Sequence, residues 1–374
     1  MVNKKVTIIG AGNGGHALAF DITQNGKEVM LFEHPDFTKN LEGIKQKGGI
    51  EAIKELHADN KIIPTALSGF AKITHLTSDP QEAVNFSDVV IMIVPQFAQA
   101  NMFKLIMPYI KDGQILLIMP GNFGSLLFKK MMRENGINKK IVFIETNTMP
   151  YASRVVTSGK VFIMGVKDSF SVASLPAGEM NNVIEKLRDI FSMNITPCEN
   201  VLKIGFSNPN MIMHVATAVL GMGPMESREG KMQFYAEGAS PSVCKVLEKE
   251  DEERINVGKA YGLDLTTFVE TCNNFYNLKM KSIRDFAANS PIHNNMPNDS
   301  PHNPKYRYIS EDCPCGLVPV YSFGKSLDVP CPAIKSIITI SGIYNDLNYF
   351  KTGVTIEKLG LSGMKKEQIL AYLN

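Results

Sequence analysis

Apolar positions fall in two textures along the chain. In the first half they come as a short β-branched run at residues 6–9 and short uninterrupted runs at residues 29–32, 89–94, 115–119 and 141–144. Each run has the length of a strand buried on both faces, and helical patterns such as residues 17–24 lie between them. Repeated strand–helix–strand order predicts a parallel sheet covered by helices on both sides. Residues 157–165 and 195–197 read as extensions of that sheet. From about Asn200 the strand runs fade and helical periods dominate. Ser240 caps a helix there, with Pro241 at its first position. That helix carries Glu248, Lys249, Glu250, Asp251, Glu252 and Glu253, a charge run read as a solvated face. Residues 288–306, rich in Asn, Pro and Ser, read as a long irregular loop of a kind more often functional than idle.

Composition narrows the classes. A chain of 374 residues is comfortable as two domains. With 44% hydrophobic and 20% charged residues it has the balance of a folded chain. A formal net charge of +2 supplies no strong field for nucleic acid or an anionic membrane, so neither is expected as a partner. The start, Met1-Val2-Asn3-Lys4-Lys5, has the basic character of a signal peptide, but the apolar run after it stops at Gly10. No stretch reaches about 18 uninterrupted apolar residues. The expectation is a cytoplasmic protein. Cys198, Cys244, Cys272, Cys313, Cys315 and Cys331 are scattered and read as free thiols. Cys313-Pro314-Cys315 lacks partners at zinc-ligand spacing, so no metal is expected.

Gly10, Gly12 and Gly15, within Gly10-Ala11-Gly12-Asn13-Gly14-Gly15, fit GxGxxG. Alone the pattern is weak. Here it follows a strand and opens a helix, the context that gives it meaning. Gly10 allows the tight turn, Gly12 lets backbone approach a pyrophosphate, and Gly15 lets the helix pack on the strand. The helix N-terminus, from Asn13 and Gly14 onward, then offers amide donors to the phosphates. A bare strand-to-helix turn is the competing reading. Glu33 ends the second strand, eighteen residues after Gly15, where an acid takes the adenine ribose hydroxyls. A carboxylate about 4 Å from a 2′-phosphate costs a few kcal/mol at an effective dielectric of about 20, so NAD is favoured, with NADP allowed by the neighbouring His34. Pro95 and Met119-Pro120-Gly121-Asn122 close later strands and are expected near the nicotinamide ribose, or are simple strand-ending turns. The expected fold is thus an α/β N-terminal Rossmann domain with a parallel sheet over residues 1–198. A mostly α-helical C-terminal domain is expected over 199–374.

In the second half, Asn210 and His214 stand four apart on an otherwise apolar helix and share a face. A polar pair there must find partners or bear a desolvation cost. A lone helical histidine is more often a satisfied core residue than a catalyst. Arg307, Glu311 and Asp312 combine a fixed cation with two acids. Arg holds a carboxylate in bidentate fashion, and an acid orients a histidine. A structural Arg–acid pair is the alternative.

Several blocks carry a resemblance: Gly10 to His16; Glu145-Thr146-Asn147 leading to Pro150-Tyr151-Ala152-Ser153-Arg154; Asn208 to His214; Phe234-Tyr235-Ala236-Glu237-Gly238 with Ser240-Pro241-Ser242-Val243; Arg307 to Asp312; Gly316-Leu317-Val318-Pro319; and Glu357 to Gly363. In this order they resemble the opine dehydrogenase family, from end to end. The resemblance implies NADH- or NADPH-dependent reductive condensation of a 2-keto acid, pyruvate first, with the amino group of an amino acid. It implies His214 as the catalytic histidine, Asp312 as its acid partner and Arg307 as the substrate-binding arginine, with Asn210 beside the substrate and a homodimer compatible. Two departures stand out: Val215 where the family usually has proline, and Cys313 and Cys315 where it usually has valine and an aromatic or small residue. They bear on substrate identity more than on reaction class.

The close alternative is a ketopantoate reductase-like or glycerol-3-phosphate dehydrogenase-like reductase acting on C=O. Such enzymes use a catalytic lysine, and Lys203 lacks the expected asparagine spacing. A non-catalytic dinucleotide sensor is the alternative from another class, and it leaves His214, Arg307 and Asp312 unexplained.

Overall fold

The computed structural model describes residues 4–58, 61–294 and 300–374. Residues 1–3 of the basic start and 295–299 of the Asn/Pro/Ser-rich stretch lie outside the described residues. The chain divides into two compact units, Met1–Ile204 with Leu373–Asn374, and Gly205–Tyr372.

In the first unit eight strands form one sheet: β1 (Lys5–Ile9), β2 (Glu28–Phe32), β3 (His75–Thr77), β4 (Val89–Met92), β5 (Ile115–Ile118), β6 (Val142–Thr146), β7 (Ser169–Leu175) and β8 (Asn194–Pro197). Their spatial order is β8-β7-β6-β5-β4-β1-β2-β3. Every pair is parallel except β6 with β7. The order from β3 through β1 to β6 is the doubly wound one, and it reverses where β1 lies beside β4. Both β4 and β5 are buried along their whole length, which is why they read as unbroken apolar runs. Three helices lead away from the C-terminal ends of the central strands: α1 (Asn13–Gln24) after β1, α2 (Gln96–Ile106) after β4, and α3 (Gly124–Glu134) after β5. α1 begins at the glycine turn itself, four residues before the apolar pattern alone suggests.

The expected extension of the sheet by residues 157–165 is corrected by the structure, whereas that by residues 195–197 is present as β8. Lys160–Val166 instead pairs with Tyr151–Thr157 and Gly49–Ala52 in a separate four-stranded sheet. The reason is the burial of α1, which is covered from Gly14 to Ile22 without interruption. One face packs on the main sheet, and the small sheet covers another. The Tyr151 hydroxyl donates to Asp21 of α1 at 2.6 Å, fixing that cover.

The second unit is helical. Its main members are α4 (Asn210–Ser227), α5 (Pro241–Ala260), α6 (Val318–Ser326) and α7 (Pro332–Tyr344). Ser240 caps α5 by accepting from the Val243 amide, with Pro241 at the first position as expected. The charge run on α5 is a solvated face only in part: Glu248, Lys249 and Glu252 are exposed, whereas Glu250, Asp251 and Glu253 are buried. α5 packs against α4, α6 and α7, so the polar positions on its inner side meet neighbours rather than water. Glu253 caps α7, accepting from the Ala333 and Ile334 amides. Asp251 pairs with Arg254 and accepts from the Phe268 amide. Among the described residues Glu250 has no hydrogen-bond partner, and burial raises its pKa well above the usual carboxylate range.

Candidate functional site

The glycine turn is built as the spacing predicts. Gly10 has φ +107°, and a Cβ there would stand 2.8 Å from the Ile93 carbonyl oxygen. A Cβ on Gly15 would come 1.8 Å from the Gly10 oxygen, so only glycine lets α1 sit this close to β1. Gly14 is less tight, with a Cβ there 2.7 Å from the Ile93 side chain and 2.8 Å from that of Met149. Gly12 differs: a Cβ there would meet nothing within 4 Å. Open space above Gly12 is what backbone approach by a pyrophosphate requires. α1 also has no side-chain cap and no acid in its first turn, so its leading amides keep their capacity for an anion. The Asn13 side chain is engaged elsewhere, accepting from the Val155 amide at 2.7 Å, which leaves its backbone as the part on offer. The residues fit a dinucleotide.

Glu33 is buried beside this turn. Its Oε2 accepts from the Ala11 amide at 3.0 Å and from Asn40 Nδ2 at 2.9 Å, and its Oε1 from the His34 amide at 2.8 Å. A carboxylate has about four acceptor positions, so three donors leave room for one ribose hydroxyl. Pro95 precedes α2, next to Gln96, which exchanges two hydrogen bonds with Asn122. The loops after β4 and β5 are thereby knitted into one rim at the C-terminal ends of the strands, where ligands of such sheets bind. Glu145 supports the rim. It is fully buried, accepts from the Phe123 and Ser125 amides and the Ser125 hydroxyl, and is pushed up to about 7 by burial.

The sequence offers no signal at His16, just inside the first helix, to separate a cofactor-facing imidazole from a packed or solvated one. In the structure it is buried, with Nε2 accepting from the Gly159 amide at 3.1 Å and Nδ1 facing the Gly12 carbonyl at 3.1 Å. These partners require the neutral imidazole with its proton on Nδ1. Burial lowers its pKa.

In the second unit the structure brings His214 and Asp312 together. Nδ1 of His214 lies 2.8 Å from Asp312 Oδ2, and both side chains are buried. With Asp312 accepting, Nδ1 carries the proton and Nε2 presents its lone pair. The Tyr235 hydroxyl sits 3.2 Å from that Nε2. The Tyr308 ring stacks on the imidazole with centroids 3.9 Å apart. Neither tyrosine stands out by type or spacing, although both lie in the blocks that carry the resemblance. Burial pushes the Tyr235 phenol well above its ordinary value, so it stays neutral and donates. A tight turn, Phe234–Gly238, holds it. Glu237 ties that turn to Arg228 and to the Gln233 amide, and Arg284 donates to the Ala236 and Ala239 carbonyls.

Arg307 donates from Nε to Glu311 at 3.0 Å and keeps about half its side chain exposed (48%), which leaves the end of its fork able to take a carboxylate. Asn210 opens α4, one turn before His214, and is partly buried. Val215, Cys313 and Cys315 are buried packing residues, and burial pushes the Cys313 thiol up to about 12. Lys203 pairs with Glu199 at 2.9 Å.

The geometry can be set beside known proteins. Residues 197–345 match the family model described as NAD/NADP octopine/nopaline dehydrogenase, alpha-helical domain. Residues 5–156 match the NAD-dependent glycerol-3-phosphate dehydrogenase N-terminus. An opine dehydrogenase of Arthrobacter sp. (strain 1C) is 31% identical, over 97% of this chain and 96% of that one. Among solved structures, octopine dehydrogenase with NADH and L-arginine superposes with a TM-score of 0.73 at 19% identity, covering 98% of this chain and 97% of that one. Yersinopine dehydrogenase bound to NADP+ reaches 0.68 at 14% identity, covering 99% and 98%.

Proposed function

The chain belongs to the opine dehydrogenase family, and from that premise we propose which of its residues perform the chemistry. It is an NAD(P)-dependent oxidoreductase acting on CH–NH, joining a 2-keto acid to the amino group of an amino acid by reductive condensation. The nucleotide-like half matches a domain shared with reductases of C=O, so the helical half is what separates the two classes.

One observation carries the assignment of the site: a buried imidazole with Asp312 on one nitrogen and a neutral phenol on the other. Nε2 of His214 takes a proton from the substrate ammonium, freeing the amine to attack the keto carbon. The imidazolium that forms is stabilised by Asp312. It returns the proton to the carbinolamine hydroxyl, which leaves as water and gives the protonated imine. When bound, the reduced dinucleotide supplies the hydride that converts this carbon–nitrogen double bond to the secondary amine. Tyr235 holds the Nε2 position until substrate arrives and then has its hydroxyl available to the reacting oxygen. Arg307 takes a substrate carboxylate, and Asn210 lies beside it on α4. Gly10, Gly12, Asn13, Gly14 and Gly15 hold the pyrophosphate, Glu33 one ribose hydroxyl, and the rim at Pro95 the nicotinamide ribose. Glu33 supports NAD over NADP. Pyruvate, named with NADH in a solved octopine dehydrogenase, is the keto acid we assign first. A cytoplasmic location fits a chain whose cysteines are scattered rather than set out as a disulfide framework, with no helix long and apolar enough to cross a membrane among the described residues.

The test is oxidation of NADH with pyruvate alone, an amino acid alone, and the two together, across a panel of amino acids. Turnover is expected only with both. Turnover with the keto acid alone overturns the assignment.

A further inference from the structure

The first unit has a second concave site, on the edge of the sheet opposite the glycine turn. β5 and β6 are parallel to β1, so Gly113 and residues 139–141 lie at their N-terminal ends. β7 runs the other way and brings Leu175 and Pro176 to the same edge. α3 starts at the rim, where Glu145 meets its first turn, and ends at this far edge with Lys129 and Arg133. Together these elements line an open cleft of about 830 Å³. That is the size of a small-molecule site.

Its walls are sorted by chemistry. Met132, Ile137, Ile141, Phe143, Leu175 and Pro176 give an apolar floor, and Lys129, Arg133, Lys139 and Lys140 stand around it. Glu179 is the one acid of the lining. Outside the lining, Asp112 pairs with Lys139 at 3.5 Å. Four cations against one lining acid leave an excess of positive charge in a chain whose net charge is only +2. Lys129 is half-buried, and burial together with Arg133 pulls its ammonium below the ordinary lysine range. Like charges are thus held together at a partly desolvated spot, which a bound anion would relieve.

We propose that this cleft binds a small organic anion of two or more negative charges, a polyphosphate or polycarboxylate with an apolar body lying on the floor. Such a ligand carries more negative charge than pyruvate. It meets the protein at the far end of the helix whose first turn supports the cofactor rim.

Calorimetry on the full chain tests this, with pyrophosphate and citrate as separate probes, with and without saturating NADH, at low and moderate ionic strength. The expected result is one site per chain for at least one probe, retained when NADH is present and weakened by salt. The K129M/R133Q variant should lose that binding at least tenfold while keeping its affinity for NADH, which shows that it is folded. Tighter binding of pyrophosphate marks a phosphate ligand, and tighter binding of citrate a carboxylate one. No saturable binding at low salt, equal affinity in the variant, or loss of binding whenever NADH is present overturns the proposal.

Discussion

Gly316 lies so close to Met211 that a Cβ on the glycine would stand 2.6 Å from the methionine's own Cβ. The contact joins the turn Cys313–Leu317, directly after Asp312, to α4 three residues before His214. It therefore helps set the 2.8 Å between imidazole and carboxylate. Gly316→Ala should push the turn off α4 and cost about 1–3 kcal/mol of stability, the usual penalty of overpacking. Turnover should fall by a larger factor than NADH affinity. Thermal unfolding and kinetics of the one variant check both, and wild-type turnover in it would separate the contact from the site.

His214 itself should be replaceable without loss of the fold, because it contacts Asp312 and a small aromatic cluster and a glutamine keeps a hydrogen-bonding group beside the carboxylate. His214→Gln is expected to lower kcat by about 10²–10⁴-fold, the range for losing a general acid–base, with NADH binding unchanged. Asp312→Asn keeps the volume but removes the charge that selects the Nδ1 proton, so it should also lower kcat. Unchanged turnover in His214→Gln moves the proton transfer to another group.

Tyr235→Phe removes only a hydroxyl from a fully packed ring. If the phenol merely fills space, kcat and its pH dependence stay as they were. If it holds Nε2, kcat falls and the acid limb of the pH–rate profile shifts, since one ligand of the imidazole is gone. Stopped-flow measurement of hydride transfer across pH distinguishes the two.

Much of this arrangement can be read from residues alone, and the exceptions have physical causes. Runs such as 89–94 show strands buried on both faces because no solvent-facing position interrupts them. The pairing partner of a strand is not written in its own pattern, so Lys160–Val166 reads as part of the main sheet although it belongs to the small one. Glu250, Asp251 and Glu253 read as solvated because charge is normally exposed. The burial of Glu253 depends on α7 arriving with unsatisfied amides from far along the chain, and that of Asp251 on Arg254 and the Phe268 amide. Asp312 is ninety-eight residues from His214, and only the resemblance, not local spacing, links them.

The neutral His16 makes stability depend on pH in a stated direction. Its folded pKa lies below 6.5, so the unfolded chain takes up its proton first as pH falls. The stabilisation is complete above pH 6.5 and is lost as pH drops from there through the folded value. His16→Asn should be less stable than wild type at pH 8, having lost the bonds to Gly159 and Gly12. The gap between the two should narrow toward pH 5. Urea unfolding at several pH values reads this, and a gap independent of pH would mean that His16 does not titrate on unfolding.

Glu33 joins two functions that can be separated by substitution. Its carboxylate braces the glycine turn through the Ala11 amide and is fixed in place by Asn40. A charge so held cannot swing away from a 2′-phosphate, and at about 4 Å the repulsion amounts to a few kcal/mol. Glu33→Gln keeps an oxygen for the Ala11 amide and removes the charge. It should weaken NADH modestly and improve NADPH, narrowing the preference by at least tenfold. Glu33→Ala also removes the brace and should weaken both dinucleotides together. Affinities measured by fluorescence titration of NADH and NADPH give the two ratios directly. If Glu33→Gln leaves the ratio unchanged, discrimination lies elsewhere and Glu33 is a brace alone.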